Sequence, residues 1–118
     1  MNFEDSEESK VVHQLLREAR DLAGKAKSFT IDDPEEDLHE DKAVALAYAA
    51  ACTAKYSAAQ AIYTLHPEFP FNLSSLFSLF DEFVREILSS YGENHSQQQV
   101  LLDFDDIDCR YKELFPKD

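Results

Sequence analysis

Glycine, proline and tryptophan are scarce here. The 118-residue chain has two Gly, four Pro and no Trp. So few turn formers exclude a turn-rich all-β fold and favour long uninterrupted helices. Cysteine is limited to Cys52 and Cys109, too few for a disulfide frame, and both sit in apolar helical patterns as small core residues. The two glycines, Gly24 and Gly92, build no phosphate-cradling loop. Basic residues number 11 against 24 acids, a net charge of −13. That field repels phosphate backbones and anionic lipid, so direct nucleic-acid and membrane binding are disfavoured. The N-terminus MNFEDSEES is acidic, unlike a secretory leader. The longest alanine-rich run is broken by Thr53, Lys55, Ser57 and Gln60, which argues against a membrane span. Together these features set the expectation of a cytoplasmic protein in a reducing compartment.

Alanine and the aromatic residues are plentiful. The stretch Lys42–Leu65 holds ten alanines and is apolar on nearly every side. Such a helix is expected to be central and enclosed by its neighbours. One stripe along it is Tyr48, Cys52, Tyr56, Ala59 and Tyr63; a second is Leu46, Ala50, Ala54, Ala58, Ile62 and Leu65. Its start is signalled by Asp33-Pro34-Glu35-Glu36, an N-cap followed by Pro in the first turn. Either the helix is continuous from Pro34 to about His66, or it breaks near Leu38–Asp41.

Three amphipathic helices are predicted around it. The first covers roughly Glu7–Phe29, with Val11, Val12, Leu15, Leu16, Ala19, Leu22, Ala23 and Ala26 on one face, Ser6 as cap, and residues 1–8 as a frayed tail. The third begins at an Asn72 cap and ends at Gly92. Its wide apolar stripe includes Leu76, Phe77, Leu79, Phe80, Phe83 and Ile87. The fourth opens at Ser96-Gln97-Gln98-Gln99, a capping-box spacing, and carries the narrow seam Val100, Phe104, Ile107, Tyr111 and Leu114. Short connections between long helices favour antiparallel neighbours. The expected fold is a single all-α domain over residues 1–118, an antiparallel four-helix bundle running up-down-up-down.

Chemistry is sparsely signalled. Glu36-x-x-His39 matches half of a di-iron bundle motif, but no second pair exists. Asp103, Asp105, Asp106 and Asp108 lack the glycine and terminal Glu of a calcium loop. Neither cysteine has a His partner in sequence. No catalytic, cofactor or metal residue is assigned, and no cofactor is expected. Tyr48, Tyr56 and Tyr63 could line a groove or a subunit interface, and the surplus width of the third helix offers a homodimer face.

The helix AVALAYAAACTAKYSAAQAIYTL, preceded by LLREARDLAGKA and followed by DIDCRYKELFP, resembles the HEPN group of small helical bundles. That group includes toxins, antitoxin partners and nucleotidyltransferase companions. Its ribonuclease members carry an Arg followed by a His about five to seven positions later. Here Arg85 and His95 stand ten apart, so the resemblance implies a non-catalytic member. An RNA- or nucleotide-associated role, through Arg85, Tyr91 and His95, is the alternative it offers. The favoured expectation is an acidic protein-interaction module of regulatory, antitoxin or immunity type. Its partner is another protein, basic by charge complementarity, or a second copy of the chain. The candidate interaction or groove residues are Tyr48, Tyr56, Tyr63, Leu79, Phe83, Arg85, Tyr91 and His95.

Overall fold

The computed structural model describes residues 6–30, 38–66, 69, 72–90 and 97–116. Four helices account for most of them: α1 (Glu7–Thr30), α2 (Leu38–Leu65), α3 (Ser74–Ser90) and α4 (Gln97–Leu114). No strand occurs among the described residues. The Asp33-Pro34 start, Glu36, Gly92 and the Ser96 cap lie outside them, as do Tyr91 and His95. Helix α2 is described from Leu38, so its continuity with the Pro34 start lies outside the described residues.

Helix starts follow from local hydrogen bonding. Ser6 caps α1, its Oγ accepting from the Ser9 N–H at 3.1 Å while its carbonyl accepts from Lys10 N–H at 3.1 Å. Helix α1 thus includes Glu7 and Glu8, and residues 1–5 lie outside the described ones. At α3, Asn72 Oδ1 accepts from the Ser74 N–H at 3.1 Å. The Leu73 N–H, another donor that the helix cannot satisfy itself, approaches the Tyr63 hydroxyl at 3.4 Å.

Neighbouring helices are antiparallel. Lys55 of α2 meets Glu18 of α1, while further along Phe29 stacks on Tyr48. Tyr56 and Tyr63 meet Asp81 and Phe77 of α3 in reversed order. Phe83 meets Phe104, and Ser75 meets Arg110, along α3 and α4. Arg20 and Lys27 of α1 lie against Tyr111 and Phe104 of α4. The result is an up-down-up-down four-helix bundle. It measures 55 × 21 × 21 Å, about two helices across in each short direction. Helix α1 touches all three others, whereas α2 and α4 lie on a diagonal and do not meet.

Two kinds of packing build the core. The α1–α2 seam is made of small residues: Ala19, Ala23 and Ala26 of α1, with Ala45, Ala49, Cys52 and Ala59 of α2, all buried. Small side chains let these axes approach toward the short end of the usual range of about 8–10 Å. The volume comes from α3, whose Leu76, Phe77, Phe80, Phe83 and Ile87 are buried along with Leu73 just before it. Burial of each large side chain contributes about 1.5–3 kcal/mol. From α4, Val100, Ile107 and Tyr111 are fully buried, and Phe104 and Leu114 are half-buried.

The enclosure expected around the alanine-rich helix is incomplete. With α4 on the diagonal, α2 is covered by α1 and α3 on one side only. Its Tyr48–Tyr63 stripe faces inward. Of its second stripe, Leu46 and Ile62 are half-buried, while Ala50, Ala54, Ala58 and Leu65 are exposed.

Candidate interaction surface

The outward side of α2 is set by helical spacing. Ala43, Ala47, Ala50, Ala54, Ser57, Ala61 and Thr64 are all exposed, and they recur at alternating steps of four and three. That alternation is the seam spacing of a coiled-coil helix, here filled entirely by small residues. Ala58, Gln60 and Leu65 border it, and Leu65 is 77 % exposed.

Apart from Lys55, whose side chain is 41 % exposed, no position of α2 from Ala43 to Leu65 carries a charge. The one charged side chain in that span, Lys55, turns to Glu18 of α1 at 3.1 Å. This contact, with a further hydrogen bond from Gln14, holds the Glu18 carboxyl below its usual pKa. Hydroxyls on α2 also turn inward along the helix. Thr53 donates to the Ala49 carbonyl at 2.9 Å, and Thr64 to the Gln60 carbonyl at 2.8 Å. The other helices present charges to solvent, as globular surfaces ordinarily do. Exposed charges include Glu7, Glu8, Lys10, Asp21 and Lys25 on α1, Glu82 and Arg85 on α3, and Asp105, Asp106, Lys112 and Glu113 on α4.

The three tyrosines of α2 do not share a groove. Tyr48 is half-buried and stacks on Phe29 with centroids 5.8 Å apart. Tyr56 is 3 % exposed, stacks on Phe80 at 5.2 Å, and donates its hydroxyl hydrogen to Asp81 Oδ1 at 2.6 Å. Burial, then the hydrogen bond to Asp81, pushes the Tyr56 hydroxyl well above the ordinary phenol pKa. Tyr63 is half-buried, edge-on to Phe69 at 5.4 Å, and sits at the start of α3. All three are structural parts of the seams with α1 and α3.

The apolar width of α3 is likewise taken up inside. Phe83 is fully buried, which corrects its assignment to an interaction face, and Leu79 is half-buried against the core. Leu88 is the large apolar residue of α3 that stays exposed, at 55 %. Arg85 is exposed on α3. Tyr91 and His95, its proposed companions, lie outside the described residues.

A polar-aromatic cluster that the sequence did not single out joins α1 to α4. His13 Nε2 lies 3.2 Å from the Tyr111 hydroxyl, and its ring stacks on Phe115 at 4.1 Å. The Arg20 guanidinium lies over the Tyr111 ring at 4.1 Å and reaches Asp108 at 3.8 Å. Asp108 also binds Lys112 at 2.9 Å, which holds that ammonium above its ordinary pKa. Antiparallel pairing of the first and last helices creates this cluster, and no local spacing announces it.

The arrangement supplies no activated nucleophile at Cys52. Burial pushes that thiol up to about 12, so it stays protonated at neutral pH. Among the described residues, no group of three or more His, Cys, Asp and Glu side chains is placed to hold a metal ion. No helix among them is long and apolar enough to cross a membrane. Comparison with protein-family models, curated proteins and solved structures found no match to this chain.

Proposed function

We propose that the protein is a non-catalytic helical interaction module, and that the outer face of α2 is its docking surface for a second copy of the chain. The observation carrying this is that the outward row from Ala43 to Thr64 holds no charge on a chain of net charge −13, the one charge of that span, Lys55, lying beside the row and paired with Glu18. A solvated face needs no such uniformity, whereas a helix–helix contact does. An uncharged face offers nothing to a basic partner, whose attraction would fall on α1 and α4. It is, however, compatible with itself. A two-fold axis sets identical patches against one another, so the patch must not repel its own image. An antiparallel pair of α2 helices would repeat the small-on-small packing that already joins α2 to α1.

Size fixes the strength of such a contact. From Ala43 to Leu65 the face is about 34 Å long and about 10 Å across. Two copies therefore cover roughly 700 Å² in projection, below the range of about 1,200–2,000 Å² of stable specific interfaces and in that of weak, transient contacts. Association is reversible and concentration-dependent. Each copy carries −13, so salt that screens their repulsion strengthens it.

Sedimentation equilibrium across protein concentration, at about 20 mM and 500 mM salt, tests this. The expected result is a monomer–dimer equilibrium that tightens with salt. Ala54→Glu, which places a charge beside its own symmetry mate, abolishes the dimer and leaves helicity unchanged. A monomer at millimolar concentration in both salts overturns the proposal, as does a dimer indifferent to Ala54→Glu.

A further inference from the structure

The seams between the four helices differ in extent and in chemistry. The contact of α1 with α2 is much the most extensive; buried alanines and Cys52 line it, with the Lys55–Glu18 pair and the Tyr48 contacts to Phe29 and Lys25 beside them. Helix α4 is attached otherwise. Val100, Ile107 and Tyr111 anchor it in the core, but its edge toward α1 is held by charge and ring contacts: Lys27 Nζ is 4.3 Å from the Phe104 centroid, Arg20 covers Tyr111 and reaches Asp108, and His13 meets Tyr111 and Phe115. Toward α3, Arg110 Nε donates to Ser75 Oγ at 2.8 Å on the exposed side, and Phe104 lies 6.2 Å from Phe83. Its inward row includes an acid, Asp103, 8 % exposed, which accepts from Gln99 Nε2 of the same helix at 2.8 Å. The Arg20 and Asp108 side chains are only partly buried, at 24 % and 30 % exposure, so water competes for that pair.

Connectivity adds to this. Both α1 and α4 are outer helices in chain order, yet α1 meets three neighbours and α4 two; α2 also meets two, but its contact with α1 is far more extensive than either contact of α4. Regions with fewer buried apolar contacts open first, as cooperative units smaller than the whole fold.

We infer that α4 is a releasable cover: it leaves the bundle as a unit while α1, α2 and α3 stay packed. Opening bares the α3 face holding Phe83, together with the α1 edge at Arg20 and Gly24. The uncharged outer face of α2 is diagonal to α4, so this device is independent of self-association there.

Hydrogen exchange of the full chain, read amide by amide at neutral pH, tests the inference. Central α4 amides, around residues 104–110, should exchange at least tenfold faster than α2 amides around 49–56. Arg20→Ala should accelerate α4 exchange several-fold further while leaving α2 unchanged. Lys27→Ala, at the other end of the seam, should do the same if Arg20→Ala folds poorly. Equal protection of α4 and α2, or equal acceleration of both by these variants, overturns the inference. It would show that α4 opens only when the whole molecule unfolds.

Discussion

The Tyr56 hydroxyl donates a 2.6 Å hydrogen bond to Asp81 Oδ1, tying α2 to α3 in the buried part of the bundle. Removing the hydroxyl leaves Asp81 without this donor. Tyr56→Phe should therefore cost about 1–2 kcal/mol, measured by urea unfolding. Paired with Asp81→Ala in a double-mutant cycle, it should show coupling of about 0.5 kcal/mol or more. Additive effects would mean that the bond contributes nothing to stability.

Alkali should destabilise the fold through Cys52 and Tyr56. The folded Cys52 thiol is raised from 9.0 to about 12 by burial, so the native state holds a proton that the unfolded chain gives up near pH 9. A raised folded pKa contributes stability that is fully present below the unfolded pKa and fades as pH climbs toward the folded one. The window is thus about pH 9–12. Tyr56 acts with the same sign, above its ordinary value of 10.0. At pH 10.5 the Cys52 share is about 2 kcal/mol. The urea midpoint should fall between pH 8 and 10.5, and Cys52→Ala should flatten that fall.

The two thiols should also differ in reactivity. Cys52 is buried as its helical pattern implies, but Cys109 is exposed, which corrects its expected place in the core. Iodoacetamide at pH 8 should label Cys109 promptly and Cys52 at least a hundredfold more slowly. In denaturant the two should react alike. Peptide mapping by mass spectrometry reads both sites at once, and prompt labelling of Cys52 in the folded protein would contradict its burial.

Small residues on the two sides of α2 should answer substitution in opposite ways. Ala49 is buried in the seam with α1, so Ala49→Leu should cost about 1–3 kcal/mol by overpacking. Ala50 is exposed, so Ala50→Leu should stay within about 0.5 kcal/mol in the monomer. Gly24 is a third case. A Cβ there would meet Phe104 Cζ at 3.5 Å, an ordinary contact. Gly24→Ala should stabilise the protein by about 0.5–1 kcal/mol, through helix propensity alone. Thermal melts of the three variants give all three signs.

Most of the architecture is legible in residue order. Period-3.6 stripes, the Ser6 cap, the Asn72 cap and the scarcity of Gly and Pro specify four helices and their inward residues, because burial and capping are local demands on a helix. The interaction surface was not legible in the same way. Phe83 and the tyrosines invite attention because they are large and apolar, and the structure uses Phe83 and Tyr56 as core and Tyr48 and Tyr63 in the seams. The outer face of α2 escapes notice because alanine stands on both sides of the helix, which removes the contrast that tells inside from outside.

What the sequence determined by itself, then, is the set of helices, their antiparallel order and an acidic exterior. Each follows from composition and periodicity. Tertiary structure alone decided which alanines are core and which are surface, since that depends on how many neighbours α2 receives. In a square of four helices it receives two, and the diagonal partner is too far away to cover Ala43, Ala47, Ala50 and Ala54. The same geometry brings His13 and Arg20 to Tyr111, across some ninety residues that no local pattern connects.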